Sequence, residues 1–434
     1  MTLNLSAWLS EISAQHPKTI ALGLERVDRV AREMGFDRHP DGLDLGCTTI
    51  IVGGTNGKGS TCAMLESILV QAGYRVATYT SPHLIRFNER LRFQCEAVSD
   101  AALIESFERV EAARQRLPDS ALTYFEFTTL AIFDQIRRAE VDVAVLEIGL
   151  GGRLDAVNCA QAHCSVLVSV DLDHQDYLGE SREAIGWEKA HIARSGRPFI
   201  CADPEPPATV LQVVESIGAD LWQFGVDYNF QGDRQQWSWA GRGQRRNALA
   251  YPALRGANQL LNASAALAAL TSLRDLIPVT QGAVRQGLAL VEIAGRFQVF
   301  PGQPAVVLDV AHNPHAAAVL AVNLDQMGFF PTTIAVVGIL GGKDAARIFE
   351  RIGDRVDHWC LASLTGADTG GRARRAEELE LILRTVNPKA KSECFETPEL
   401  AYLRAQTLAQ PSDRIVAFGS FLTVAPIFEH RHAR

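Results

Sequence analysis

The sequence predicts an α/β protein built as two successive domains, and three observations predict it. Apolar, β-branched runs of strand length alternate with longer amphipathic segments, the pattern of a mainly parallel sheet covered by helices. A glycine-rich turn sits where one such run gives way to a helical pattern, in "IIVGGTNGKGSTCAML" at 50–65. A second strand and helix series begins near residue 298 and occupies about 135 residues, enough for a core of its own.

In the first series the strand candidates are "TTIIVGG" (48–54), "VDVAVLEIG" (141–149), "SVLVSVD" (165–171) and "PFICA" (198–202). Each is a short apolar run bounded by turn residues. Helices are expected over 60–72, 101–117, 125–138, 182–194 and 259–273; the first opens directly from the glycine loop, and Gly73 is a suitable stop. The stretch 224–251, with Trp and Tyr among Gly, Gln and Arg, is expected to be a hairpin or irregular insertion. Periodicity falters at Gly295 in "LALVEIAGRFQVF", which puts the domain boundary between 296 and 297. The second series contains "AVVLDVAHNP", "TTIAVVGILGGKD", "HWCLASLT" and "RIVAFGSF", each followed by a helical pattern.

Composition narrows the function classes. At 47% hydrophobic and 21% charged, the 434 residues suit an ordinary globular protein. No apolar run approaches the roughly 20 residues of a membrane helix, and the start lacks a basic stretch followed by an apolar core. The expectation is a cytoplasmic monomer with no membrane partner. A net charge of -8 disfavours generic nucleic-acid binding, which needs a basic face. The one basic cluster, "GRARRAEELE" at 371–380, reads as a solvated loop and helix start. The eight cysteines are scattered without metal-binding spacing and read as reduced thiols.

Strand, glycine turn and helix together converge backbone N–H groups and a helix N-terminus on an anion. The spelling departs from the standard phosphate loop, because Gly59 separates Lys58 from Ser60 and Val52 stands where the first glycine would be. In the functional reading Lys58 meets the terminal phosphates and the Ser60 or Thr61 hydroxyl reaches a magnesium ion. The alternative is a tight turn with an exposed lysine. Glu147, at the end of an apolar climb, is the candidate metal ligand, since a buried glutamate is costly without a cation. His174 in "VDLDHQDYLG", crowded by Asp171, Asp173 and Asp176, suggests a second metal that helps neutralise phosphate oxygens.

At this point the residues resemble a known family. "GTNGKGS" is similar to the variant phosphate loop of the Mur ligase superfamily. Together with "TSPHL" (80–84), "LEIGLGGRLDAVN", "LDHQDYLG", "GWEKAHI", "GRFQ" and "LDVAHNPHA", it resembles folylpolyglutamate synthases. "KTIALGLERV" near the start and "AFGSFLTVAPIF" near the end extend the resemblance over essentially the whole chain, and "LTYFEFTTL" resembles the bifunctional bacterial form. The resemblance implies a Mur-ligase-like ATP-binding and pteroate- or folate-binding domain over 1–296 and a smaller Rossmann-like α/β glutamate-ligase domain over 297–434. It implies ATP-dependent addition of L-glutamate to dihydropteroate and to tetrahydrofolate or folylpolyglutamates through an acyl phosphate. The remaining alternatives are folylpolyglutamate synthesis alone, a different Mur-type ligase, and a nucleotide-hydrolysing switch without ligation.

Carried over residue by residue, the resemblance implies ATP contacts at Thr55, Asn56, Gly57, Lys58, Gly59, Ser60, Asn262, Arg296 and Asp309. Two magnesium ions are implied, one at Ser81 and Glu147 beside Ser60, the other at Glu147 and His174. Lys189 matches a lysine that the family carries as an N-carboxylated side chain and so joins the metal ligands; read without the family it is a surface helix residue. Leu22, Gly23, Leu24, Thr123, Phe125, Leu154, Asp155 and Ala156 match the pteroate side, with Phe125 a candidate to stack on a heteroaromatic ring and Asp155 to meet pterin nitrogens. "GILGGKD" (338–344) and Ser420 are the glutamate candidates, and His312 and Asn313 lie near the ATP contacts. His191 departs from the glycine common in the family, which raises the question of crowding beside Lys189.

Overall fold

The computed structural model describes residues 3–16, 20–117, 120–233, 235–366, 369 and 371–432. Lys18 and Thr19 of "KTIALGLERV" therefore lie outside the described residues. The described chain forms two compact units. One comprises Met1–His83, Phe87–Ala253 and Leu260–Val291; the other comprises Leu84–Arg86, Leu254–Gln259 and Glu292–Arg434.

In the first unit a small pair, β1 (Arg38–His39) and β2 (Gly42–Leu43), precedes the sheet. The sheet strands are β3 (Thr48–Gly53), β4 (Val76–Tyr79), β5 (Leu91–Phe93), β6 (Glu96–Ala97), β7 (Val143–Glu147), β8 (Cys164–Leu167), β9 (Pro198–Cys201) and β10 (Asp220–Gln223). Their order is β10-β9-β8-β3-β7-β4-β5-β6, parallel from β10 to β4, with β5 and β6 antiparallel at the edge. Every residue of β4, β7 and β8 is buried, which is why these strands read as continuous apolar runs without alternation. The chain leaves β3, builds β4 two places away, returns to insert β7 between them, and then places β8 on the other side of β3. That reversal makes the carboxyl end of β3 the switch point, where open α/β sheets bind ligands.

Helices start and stop close to their sequence signals. The helix from the glycine loop runs Lys58–Gln71, two residues earlier than expected, and the next expected ones run Asp100–Gln115 and Tyr124–Arg138. The helix expected over 182–194 is shorter, Arg182–Ala190, and the one expected over 259–273 runs Gln259–Ser272. The strand expected over 165–171 ends at Leu167, because beyond Val168, whose N–H still reaches the Gly53 carbonyl of β3, the backbone bonds to the glycine loop and to Asp203. The 224–251 insertion is an antiparallel three-stranded sheet, β11 (Tyr228–Gly232), β12 (Trp237–Gly241) and β13 (Gln244–Leu249), with Trp237 and Trp239 buried.

The second unit has β14 (Gln298–Phe300), β15 (Ala305–Leu308), β16 (Thr333–Val337), β17 (His358–Ala362), β18 (Ser392–Phe395) and β19 (Arg414–Phe418), in the order β14-β15-β19-β16-β17-β18. Only β14 is antiparallel. Two apolar clusters, around Phe349 and Trp359 and around Tyr402 and Val424, cover its faces. The basic segment expected to be solvated is partly tied down: Arg374 bridges to Leu364, and the Gly341 N–H donates to the Arg372 carbonyl at 2.8 Å. All eight cysteines are free, and no helix among the described residues is long and apolar enough to cross a membrane.

Candidate active site

The chain leaves β3 at Gly53, turns through Gly54 to Gly57 and enters the helix at Lys58. Gly54 has φ +140°, and a Cβ there would lie 2.9 Å from Val168 Cγ2 and 3.0 Å from the Ser169 nitrogen. Gly57 caps the helix with φ +94°, and a Cβ would come within 2.6 Å of Asn262 Oδ1. Both positions require glycine, sterically and conformationally. With no side chain capping it, the helix start presents its first N–H groups and positive end to an anion. Asn262, buried on the helix Gln259–Ser272, is brought against this turn.

The segment after β8 is laced to the loop. The Thr55 N–H donates to the Ser169 carbonyl at 2.7 Å, and the Asn56 N–H donates to Ser169 Oγ at 3.0 Å. The Asp171 N–H donates to Thr55 Oγ1 at 3.0 Å, and that hydroxyl donates to the Asp171 carbonyl at 3.1 Å. Ser169 carried no signal in the sequence beyond sitting in an apolar run, yet it fixes the loop's shape.

Two amines meet at one carbonyl. Lys58 Nζ donates to the Gly54 oxygen at 3.2 Å and the Thr55 oxygen at 3.3 Å; Lys189 Nζ donates to the same Gly54 oxygen at 3.0 Å. Lys189 is buried, 5% exposed, which corrects its reading as a surface residue. Gly152 explains how it gets there: a Cβ at that position would lie 2.9 Å from Lys189 Cα, so only glycine lets the helix close on this turn. Burial first, and the Lys58 charge second, lower the Lys189 pKa from 10.5 to about 7, against the opposing pull of Asp173 and Asp155. His191 does not crowd it, since its ring turns toward Trp187, 4.3 Å between ring centres, with Nδ1 2.7 Å from the Trp187 carbonyl oxygen.

Glu147 ends β7, next to β3, and is 3% exposed. One of its carboxylate oxygens accepts the Ser81 N–H at 3.0 Å, bringing together two of the expected metal ligands. Cys62, on the phosphate-loop helix, is raised well above its ordinary pKa by burial and then by the Glu147 charge. Ser60 is also buried on that helix. His174 stands beyond β8 in a left-handed conformation, φ +52°, with Nε2 3.9 Å from Asp173 Oδ2. Glu147 thus ends one of the two strands that flank β3, and His174 follows the other.

The residues expected on the pteroate side also assemble. The Gly23 N–H donates to the Leu154 carbonyl at 3.4 Å, tying 22–24 to 154–156. Thr123 caps its helix in a reciprocal box with Glu126, and Glu126 pairs with Arg26 at 2.7 Å; Arg26 in turn holds the Ala21 carbonyl at 2.7 Å. This link spans 100 residues of sequence and was invisible there. Phe125 is half-buried, its ring stacked on Tyr79, and Gly149 admits it: a Cβ there would lie 2.6 Å from Phe125 Cζ. Asp155 is buried, and its oxygens accept the Leu150 N–H at 2.7 Å and the Val157 N–H at 2.9 Å. These bonds make it the organiser of its own glycine-rich turn. Burial raises its pKa to about 6 despite them.

In the second unit Asp309 follows β15 and accepts the Phe297 N–H at 2.9 Å and the Ala311 N–H at 2.7 Å, which fixes the chain next to Arg296. Burial raises its pKa, and the Arg296 charge opposes the rise. The Arg296 guanidinium lies 5.3 Å from the Phe421 ring centre. Asn313 is a buried helix cap accepting from the Ala316 N–H at 2.8 Å, and His312 Nδ1 lies 2.8 Å from the Val310 oxygen. "GILGGKD" follows β16 and Ser420 follows β19, adjacent strands, so both glutamate candidates share the carboxyl edge with Asp309.

A glycine turn at a sheet switch point, two convergent lysines and a buried carboxylate define a nucleotide-dependent α/β enzyme. Residues 52–270 match the Mur ligase middle domain and residues 295–421 the Mur ligase glutamate ligase domain. The chain is 39% identical over 430 residues to the dihydrofolate synthase/folylpolyglutamate synthase of Escherichia coli (strain K12), covering 99% of this chain and 96% of that one. It is 36% identical over 442 residues to the enzyme of the same name from Haemophilus influenzae, covering 98% and 97%. Among solved structures, E. coli FolC in complex with DHPP and ADP superposes with a TM-score of 0.91 at 39% identity, covering 100% of this chain and 98% of that one. A bifunctional folylpolyglutamate synthase/dihydrofolate synthase with Mn, AMPPNP and L-glutamate bound gives 0.88 at 38%, covering 99% and 98%. The chain belongs to the dihydrofolate synthase/folylpolyglutamate synthase family of Mur ligases, and is an ATP-dependent ligase.

Proposed function

We propose that this chain couples ATP cleavage to amide formation between L-glutamate and two acceptors: the carboxylate of dihydropteroate, giving dihydrofolate, and the γ-carboxylate of tetrahydrofolate or its polyglutamates. A carboxylate is unreactive toward an amine because oxide would have to leave. Transfer of the γ-phosphoryl group makes phosphate the leaving group, and the glutamate amine then displaces it from the acyl phosphate. The products are ADP, phosphate and the amide.

The observation that carries this reading is the meeting of Lys58 and a buried Lys189 at the Gly54 carbonyl, on the turn that opens a helix N-terminus. Thr55, Asn56, Gly57, Gly59 and Ser60 cradle the phosphates with Lys58, and Asn262 braces Gly57. Arg296 and Asp309 supply the second unit's nucleotide contacts. Leu22 to Leu24, Thr123, Phe125 and Leu154 to Ala156 form the pteroate side, Phe125 stacking on the pterin. The division of labour is ATP and pteroate binding by 1–296 and glutamate ligation by 297–434, in a monomer. Lys58 acts by holding the phosphoryl oxygens against the repulsion of the acceptor carboxylate.

The donor set fits magnesium. Among the described residues no group of three or more His, Cys, Asp or Glu is built to cage a metal. Magnesium is ordinarily held by one or two carboxylates together with substrate phosphates. Glu147, Ser81 and Ser60 would hold one ion, and Glu147, His174 and a carbamate on Lys189 a second. When bound, the ions neutralise phosphate charge. A Lys189 amine with a pKa of about 7 is substantially neutral at cellular pH and so free to take up CO2.

The decisive experiment incubates the protein with ATP and L-glutamate plus either dihydropteroate or tetrahydrofolate and measures product masses. A mass gain of one glutamate residue with each acceptor is expected. Gain with tetrahydrofolate alone would reduce the activity to folylpolyglutamate synthesis, and gain with neither refutes the proposal.

A further inference from the structure

Two groups proposed above to hold metal, His174 and Lys189, sit at the end of the segment after β8, where His174 caps the short helix Gln175–Leu178, and on the following helix Arg182–Ala190. His174 caps only a four-residue helix, and a ligand on so short an element is only as well placed as the contacts that fix the segment before it. On one side the segment is fixed by the phosphate loop, through Ser169 and Asp171. On the other side the contacts belong to Asp203 and Arg182, which nothing so far has given a role.

Asp203 follows β9, the strand next to β8, and is 4% exposed. Its Oδ2 accepts the Val170 N–H at 2.7 Å, and its Oδ1 accepts the Glu205 N–H at 2.9 Å. Arg182 is the first residue of the Lys189 helix. Its Nε donates to the Val170 carbonyl at 2.9 Å, and its Nη2 donates to the Glu205 carbonyl at 3.0 Å and to Asp203 Oδ2 at 3.4 Å. Both backbone groups of Val170 are therefore held by this pair, the N–H by Asp203 and the carbonyl by Arg182. Residues 169 and 171 face the phosphate loop, and residue 170 faces the pair. The same arginine anchors the start of the helix whose end carries Lys189.

We infer that Arg182 and Asp203 are positioning residues that lock the His174 segment and the Lys189 helix into one register, and so set metal affinity without touching metal or substrate. The inference rests on the reading of His174 and Lys189 as metal ligands. Its logic is that of any group that orients a ligand from behind: the loss on removal is read in metal affinity, commonly about 10 to 100-fold. Because both side chains grip the same residue, removing either releases the same segment.

The test is Mn2+ binding to the full chain in the presence of ADP, followed by the loss of the free-ion paramagnetic resonance signal, with ADP binding in the absence of metal measured in parallel. Arg182→Ala and Asp203→Ala should each weaken Mn2+ binding by about tenfold or more. The double variant should be no worse than the weaker single one, and metal-free ADP affinity should stay within twofold of wild type. Asp203→Asn, which keeps the side-chain shape, carries the same expectation should alanine prevent folding. Folded variants with wild-type Mn2+ affinity, or losses that add in the double variant, overturn the inference. His174→Ala is the reference: if it binds Mn2+ as wild type does, the metal-ligand reading itself fails, whereas loss there with unchanged Arg182 and Asp203 variants sinks only the positioning role.

Discussion

Replacing Lys189 with methionine keeps the length of the side chain and removes its amine, and the structure sets the size and direction of the effect. An ordinary lysine at 10.5 brought down to about 7 has had its charged form disfavoured by about 5 kcal/mol, at roughly 1.4 kcal/mol per pH unit. In the unfolded chain the amine keeps its proton up to about 10.5; in the folded chain it releases it near 7. Between those values the unfolded chain binds the extra proton, so stability rises with pH, and the full cost is present below 7. In CO2-free buffer, wild type should therefore gain about 2 kcal/mol relative to Lys189→Met between pH 7 and pH 9, read from urea unfolding at each pH. Added bicarbonate should flatten the wild-type slope, because a carbamylated nitrogen no longer titrates in this range, and should leave the variant unchanged. Ligase activity should be lost in the variant. Parallel pH dependences for the two proteins in CO2-free buffer would refute the buried, proton-releasing amine.

Gly57→Ala places a methyl group 2.6 Å from Asn262 Oδ1 and a non-glycine residue at φ +94°. Gly73→Ala is its control, at φ +90° with no atom within 4 Å of the added Cβ. Each should lose about 1 to 2 kcal/mol of stability from backbone strain, but only Gly57→Ala should weaken ADP binding, by about tenfold, or 1.4 kcal/mol; equal ADP affinities in the two would contradict the placement of the loop. Glu126→Ala removes both the reciprocal half of the helix cap at Thr123 and the pairing with Arg26. It should cost about 1 to 3 kcal/mol and raise KM for dihydropteroate while leaving KM for ATP unchanged, a split that steady-state kinetics with each substrate varied in turn would detect.

Sequence patterns revealed local structure well and spatial neighbours poorly, and the reasons are physical. The run at 48–53 and the glycines after it were legible because parallel strands buried on both faces are uniformly apolar and a left-handed turn needs glycine. "SVLVSVD" misled because Val166, Val168 and Val170 keep their apolar period past Leu167, while the backbone bonds change from strand partners to Thr55, Asn56 and Asp203. A side-chain pattern reports burial, not the identity of the hydrogen-bonding partner. Lys189 was legible only through its resemblance: an amphipathic helix shows a lysine, and nothing local says that Gly152, well before it in the chain, lets that lysine be buried. The insertion of β7 between β3 and β4 is likewise a property of topology. Asp155 was legible as a pteroate-side residue only through the resemblance, and nothing in the sequence said that its oxygens also hold the turn at Leu150 and Val157.

The convergence of Lys58 and Lys189 on one carbonyl has a consequence for the order of events. The two share the Gly54 oxygen and, when both are charged, repel; after burial, the Lys58 charge is the second-largest cause of the lowered Lys189 pKa. Conversion of Lys189 to a carbamate reverses the sign, turning a repelled cation into an anion that Lys58 attracts. The pair thus favours the modified state by relieving a repulsion and gaining an attraction, at a site whose burial already supplies the neutral amine. Modification should therefore precede nucleotide binding. Once phosphates draw the Lys58 ammonium off the loop carbonyls, burial still disfavours the charged amine but the added Lys58 repulsion weakens, so the Lys189 proton is held more tightly and CO2 uptake should slow.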